Sequence, residues 1–131
     1  MVSSLTFIAS VNAIRYVGAQ PIMVDSEPDN WQINSKLIEN FLKNKCYMVK
    51  NKCIYIETGQ KVAAILPVHI LGHSCDIKAI QRIAKEYKLM IIEDAAEGLG
   101  VKFHGNCLIS IKTKTTYRTK STNLFTMKFN T

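Results

Sequence analysis

The feature that most restricts the fold is the succession of three segments between residues 62 and 92. "VAAILPVHILG", residues 62–72, holds no Asp, Glu, Lys or Arg. A strand so uniformly apolar is buried on both faces, as strands of parallel sheets are, with Pro67 near its end. "DIKAIQRIAKEYK", residues 76–88, sets Ile77, Ile80, Ile83 and Ala84 on one helical face. Asp76 stands near its start, where a negative charge suits the helix dipole. "LMII", residues 89–92, is a second short apolar strand. A strand, a covering helix and a strand make a right-handed crossover between parallel neighbours.

The chain upstream repeats the theme. "TFIASVNAIRYVGA", residues 6–19, has Ile8, Val11, Ile14 and Tyr16 or Val17 near helical spacing and ends on Gly-Ala, so a helix is expected there, opening near Ser10. Ile22 to Val24 reads as a strand that ends at Asp25 and a turn-rich cluster. "NSKLIENFLKN" gives another helix with Leu37, Ile38, Phe41 and Leu42 on one face and Asn34 or Ser35 as N-cap. Residues 46–61 alternate around "KNK" and predict a small antiparallel hairpin inserted between the main elements. The expected fold class is α/β, three-layer αβα with a mostly parallel sheet.

With 131 residues, 47% of them apolar, the chain is one domain or part of one. It has no apolar run of membrane-span length and no signal-peptide pattern, which predicts a cytoplasmic location. Its four cysteines form no C-x-x-C pair and read as reduced thiols. The net charge of +7 raises the question of a polyanionic partner. Residues 106–131, however, hold five of the 17 Lys and Arg and none of the 10 Asp and Glu, so the first 105 residues are nearly balanced. Nucleic acid is therefore not the expected partner of the body, and residues 106–131 read as a basic tail with no clear period.

Function in parallel α/β sheets gathers at the carboxyl ends of strands. That rule selects Asp25, the His69 to His73 turn, and Glu93, Asp94 and Glu97 in "LMIIEDAAEGLG". An Asp that follows a buried apolar strand sits where a lone charge is costly, so Asp94 calls for a cation. Three remain open on these residues: a divalent metal shared with another carboxylate, a phosphoryl-transfer role, or a protonated pyridine nitrogen. The bland reading, a carboxylate capping the turn that follows, stands beside them. Neither G-x-x-x-x-G-K-[ST] nor G-x-G-x-x-G occurs. His69, His73 and Cys75 could be drawn as metal ligands, but they straddle a strand end where i and i+4 share no face, so no metal site is expected from them.

"LTFIASVNAIRYVGAQPIMVDSEPDNWQI" and "AAILPVHILGHSCDIKAIQRIAKEYKLMIIEDAAEGLGVKFHG", in that order and spacing, resemble the DegT/DnrJ/EryC1/StrS sugar aminotransferases. These are fold-type-I pyridoxal-phosphate enzymes that aminate nucleotide-linked keto sugars. The resemblance covers residues 4–105 and implies that residues 1–105 are part of the large cofactor-binding domain, with the hairpin at 46–61 as an insertion. It implies pyridoxal phosphate as cofactor, glutamate as amino donor and a homodimer. It makes Asp94 the partner of the cofactor's pyridine nitrogen and Phe7 the residue stacked on its ring, with Thr6 beside it. It puts Glu97 by the phenolic oxygen, where the family commonly has Gln or His, and leaves His69 lining the pocket.

The family's Schiff-base lysine lies in a block resembling S-F-x-x-x-K, and this chain has no such block. Lys128, in "LFTMKFN", stands at a tolerable distance but in the wrong context. The resemblance thus implies a truncated chain, inactive alone. Two other readings stay in view: an α/β binding module whose basic tail contacts a polyanion or partner protein, and a small α/β enzyme holding Mg²⁺ at Asp25 or Asp94.

Overall fold

The structure, a computed structural model, describes residues 1–98 and two short strands beyond them. In chain order the elements are β1 (Val2–Ser3), α1 (Ile8–Tyr16), β2 (Met23–Val24), α2 (Ser35–Lys45), β3 (Cys46–Val49), β4 (Lys52–Tyr55), β5 (Lys61–Val62), β6 (Ala64–Ile65), a 3₁₀ turn (Ile70–Gly72), α3 (Ile77–Tyr87), β7 (Met90–Ile91), β8 (Lys102–Phe103) and β9 (Asn106–Cys107). Lys128 and nearly all of the basic segment lie outside the described residues.

β1 pairs parallel with β2, and β6 pairs parallel with β7. A parallel bridge from Val2 to Leu66 and the Leu66 N–H bond to Met1 O, 2.7 Å, join the two pairs. The strands therefore run β2, β1, β6, β7 across one parallel sheet. Alternation along them sends side chains to two layers. Met1, Val24, Ile65 and Ile91 pack with Ile38 and Leu42 of α2 and Ile77, Ile80, Ile83 and Ala84 of α3. Val2, Leu66, Val68 and Ile92 face the other way and pack with Val11 and Ile14 of α1. This is the expected three-layer αβα arrangement.

Local chemistry sets the boundaries. Asn34 caps α2 by accepting from Lys36 and Leu37 N–H, and Asp76 caps α3 by accepting from Ala79 N–H. Arg82 of α3 clasps Glu39 of α2 with two bonds of 2.9 Å. The hairpin forms as β3 against β4, and β5 adds a third antiparallel strand. Cys46, Cys53 and Val62 anchor that small sheet in the core.

Two expectations need correction. The apolar run at 62–72 is not one strand: Lys61–Val62 belongs to the antiparallel sheet, and the chain joins the parallel sheet only from Ala64. Every residue of the run is apolar or His, so the run carries no mark of the change. α1 opens at Ile8 rather than near Ser10, and only part of its apolar spacing is covered. Ser10 and Ala13 are its buried residues, Val11 and Ile14 are half-buried, and Ile8, Tyr16 and Val17 are exposed.

Candidate functional site

β1 has β2 on one side and β6 on the other, so the carboxyl ends of β1 and β6 flank a point where the strand order reverses. Open parallel sheets place their ligands at such a point. The segment Ser4–Phe7 follows β1 there, Val68–Gly72 follows β6, and Glu93–Gly98 follows β7.

Asp94 is fixed in this edge by its backbone: its N–H donates to Pro67 O at 2.9 Å and its carbonyl accepts from His69 N–H at 3.0 Å. Its half-buried side chain turns toward α1, where Ser10 Oγ donates to Oδ2 at 2.6 Å. Ala96 N–H donates to Oδ1 at 3.1 Å. Because the single hydroxyl proton of Ser10 goes to Asp94, the 3.4 Å contact between Thr6 Oγ1 and Ser10 Oγ has Thr6 as donor. Phe7 stands at the N-cap of α1 with no side-chain cap bond, 75% exposed. The structure thus draws Thr6, Ser10 and Asp94 into one chain of hydrogen bonds, with Phe7 on the same helical turn.

Glu93 points the opposite way into the protein, as its neighbouring position on the strand requires. His69 Nε2 lies 3.4 Å from Glu93 Oε2, and His69 Nδ1 accepts from Cys75 N–H at 3.2 Å. A backbone N–H can only donate, so the ring proton sits on Nε2 and His69 donates to Glu93. Glu93 Oε1 has no hydrogen-bond partner. His69 is 0% exposed, which corrects the expectation that it lines an open pocket. Burial pushes the Cys75 thiol up to about 12, so it stays protonated, its single S–H shared between Val68 O at 3.2 Å and Gln32 Oε1 at 3.3 Å. His73 is exposed, apart from this buried group.

Glu97 Oε2 accepts from Leu71 N–H at 2.7 Å. Asp25 is exposed, and its Oδ1 accepts from Ser26 N–H and from Ser4 Oγ. Two contributors escaped the sequence reading. Ser10 was legible only as a helix start, since nothing in the sequence marks it as the buried polar residue of α1. Gln32, fully buried and bonded through Nε2 to Ile70 O at 3.1 Å, gave no signal.

Residues 1–127 match the model of the DegT/DnrJ/EryC1/StrS aminotransferase family. The chain belongs to this family, whose members depend on pyridoxal phosphate. Among its relatives, GDP-perosamine synthase of Escherichia coli O157:H7 is 42% identical over 105 residues, 80% of this chain and 24% of that protein. The dTDP-4-amino-4,6-dideoxy-D-glucose transaminase of Escherichia coli is 35% identical over 100 residues, 76% of this chain and 23% of that protein. A solved family aminotransferase from Brucella abortus superimposes with a TM-score of 0.64 at 33% identity, covering 76% of this chain and 24% of that one. The chain spans about a quarter of the length of the relatives it matches, 24% for the perosamine synthase. Its α/β fold is that of the fold-type-I aminotransferases.

Proposed function

We propose that this chain supplies part of the cofactor-binding domain of an aminotransferase that uses pyridoxal phosphate to place an amino group on a nucleotide-linked keto sugar. The observation that carries this reading is the Asp94 carboxylate: half-buried, met by a hydroxyl and a backbone N–H, and without an ion-pair partner among the described residues. A carboxylate so placed favours a cation, and a protonated pyridine nitrogen is one. Phe7 fits the same group, since its exposed ring offers a flat apolar face for stacking. Ser10 holds Asp94 directly, and Thr6 reaches it through Ser10.

When bound, pyridoxal phosphate supplies a sink for the electron pair released as the substrate carbon loses its proton. The residues here have narrower tasks. Asp94 keeps a proton on the ring nitrogen, Ser10 and Ala96 fix the plane of its carboxylate, and Phe7 shields one ring face from water. The substrate class follows from relatives whose names are those of nucleotide-linked amino-sugar enzymes. The same reading takes glutamate as amino donor, a homodimer as the working assembly and the cytoplasm as location. Among the described residues no helix is long and apolar enough to cross a membrane. Because the sequence has no S-F-x-x-x-K block, the chain alone is expected to bind cofactor without completing transfer.

The test is a titration of the chain with pyridoxal phosphate, followed by the circular dichroism that the cofactor acquires on binding. Asp94→Asn keeps the shape and removes the charge, and should weaken binding by about ten- to a hundredfold, the range of a charged hydrogen bond. Equal binding by parent and variant, or none by the parent, would reject the reading. Borohydride reduction and peptide mapping then test Lys128: a single added mass there, lost in Asp94→Asn, assigns it, whereas scattered label excludes it.

A further inference from the structure

We propose that Glu97 is a positioning residue: it clamps the Ile70–Gly72 turn and, through that turn, holds Asp94 in register. The clamp stands on geometry alone, and only its consequence for cofactor rests on the function proposed above. Leu71 lies in the left-handed region, φ 54 and ψ 30, and Gly72 follows it at φ 71. A residue with a full side chain stays in that region only where its surroundings over-determine it. The Leu71 side chain gives no such hold, being 63% exposed. Its backbone does: Leu71 N–H donates to Glu97 Oε2 at 2.7 Å, and an ionised acceptor makes the stronger kind of hydrogen bond.

The bond closes a ring between two segments. At one end His69 N–H donates to Asp94 O at 3.0 Å, and at the other Leu71 N–H reaches Glu97. Between Asp94 and Glu97 lies Ala96, whose N–H orients Asp94 Oδ1. Gly98 N–H donates to Ala95 O at 3.0 Å, and a Cβ at Gly98 would come within 3.4 Å of His69 Cβ, so this turn is seated closely on the His69 strand. Cutting the Glu97 tie leaves the 94–98 turn held at its Asp94 end and frees the residue next to the amide that aims the carboxylate. This gives Glu97 a task other than contact with the phenolic oxygen, where the family resemblance expects Gln or His. A carboxylate already engaged by Leu71 is poorly suited to a second anionic neighbour.

Amide exchange read by NMR on the full chain, without cofactor, tests the clamp, because exchange reports local opening. In Glu97→Ala the Leu71 amide should exchange about tenfold faster than in the parent, the range for loss of one hydrogen bond. Glu97→Gln keeps an acceptor oxygen and should restore most of the protection, while α3 amides stay unchanged in both. Unchanged exchange at Leu71 in Glu97→Ala would overturn the clamp, and so would faster exchange throughout the chain, which marks a general structural role. The titration with pyridoxal phosphate then reads the consequence: about three- to tenfold weaker binding in Glu97→Ala, restored in Glu97→Gln. Unchanged affinity in Glu97→Ala alongside a weakened Asp94→Asn would overturn the link to Asp94. No binding by any form would reject the cofactor reading, and the exchange result would decide the clamp on its own.

Discussion

α1 and α3 cover the same sheet from opposite sides and use their sequences differently. α3 buries Ile77, Ile80, Ile83 and Ala84, takes its N-cap from Asp76, and ends on Lys88 in the left-handed conformation. α1 buries only Ser10 and Ala13, has no side-chain cap, and leaves Phe7 75%, Ile8 60% and Tyr16 85% exposed. The difference separates two kinds of helix. α3 is bound by its length to the core, whereas α1 matters for its first turn, which delivers a hydroxyl to Asp94 and sets an aromatic ring beside the strand ends.

The largest effect that contrast predicts is on stability. Ile80 is 0% exposed, and Ile80→Ala should cost about 2–5 kcal/mol in urea unfolding, the range for emptying a packed site. Ile8→Ala, an equally large truncation on α1, should stay within about 0.5 kcal/mol. Comparable losses at the two positions would break the distinction between the helices.

A pH effect of intermediate size belongs to the α3 side. Met1 lies in the core cluster shared with α2 and α3, and its amine donates to Ala64 O at 2.7 Å. Burial lowers the pKa of this amine from 8.0 to about 6. The folded state thus disfavours the charged form, and the unfolded chain binds more protons between those values. Stability should be highest above pH 8, fall as the pH drops toward 6, and level off below that, for a total of about 2–3 kcal/mol. Acetylating the amine of the chain as it stands should flatten that slope. A slope that survives acetylation would assign it to another group.

The same asymmetry explains what the sequence made legible. The inward face of α3 was readable to the residue, because a helix packed along its whole length writes its face in the 3.6 period. Asn34 was readable as a cap, and Asp76, read only as a charge suiting the dipole, proves to be one as well. The Asp94 position was readable from an apolar strand ending in acids. α1 was readable only in part, since periodicity locates apolar residues and not whether anything covers them: Val11 and Ile14 pack on the sheet, while Ile8 and Tyr16 are displayed. The contacts that complete the site lay beyond local reading. Ser10 and Asp94 are 84 residues apart, Leu71 and Glu97 are 26 apart, and nothing near either end specifies its partner. His69 misled for a related reason: the family resemblance makes it a pocket wall, while its bonds to Glu93 and Cys75 draw it inside.

A small change in stability, and the sharpest test of α1, comes from Ser10→Ala. The hydroxyl that is lost makes a 2.6 Å bond to a half-buried carboxylate, worth about 1–2 kcal/mol. Two terms oppose the loss: Asp94 keeps the Ala96 N–H and access to water, and alanine is the better helix former by about 0.5 kcal/mol. The unfolding free energy should therefore shift by less than about 1 kcal/mol. Aim is not compensated in this way. Water can satisfy Oδ2 but cannot fix the plane of the carboxylate, so affinity for pyridoxal phosphate should fall about three- to tenfold. Ile80→Ala should show the reverse, a large loss of stability with near-normal affinity while the chain stays folded. If Ser10→Ala leaves affinity unchanged, its hydroxyl serves only the packing of α1, and the division of labour between the two helices fails.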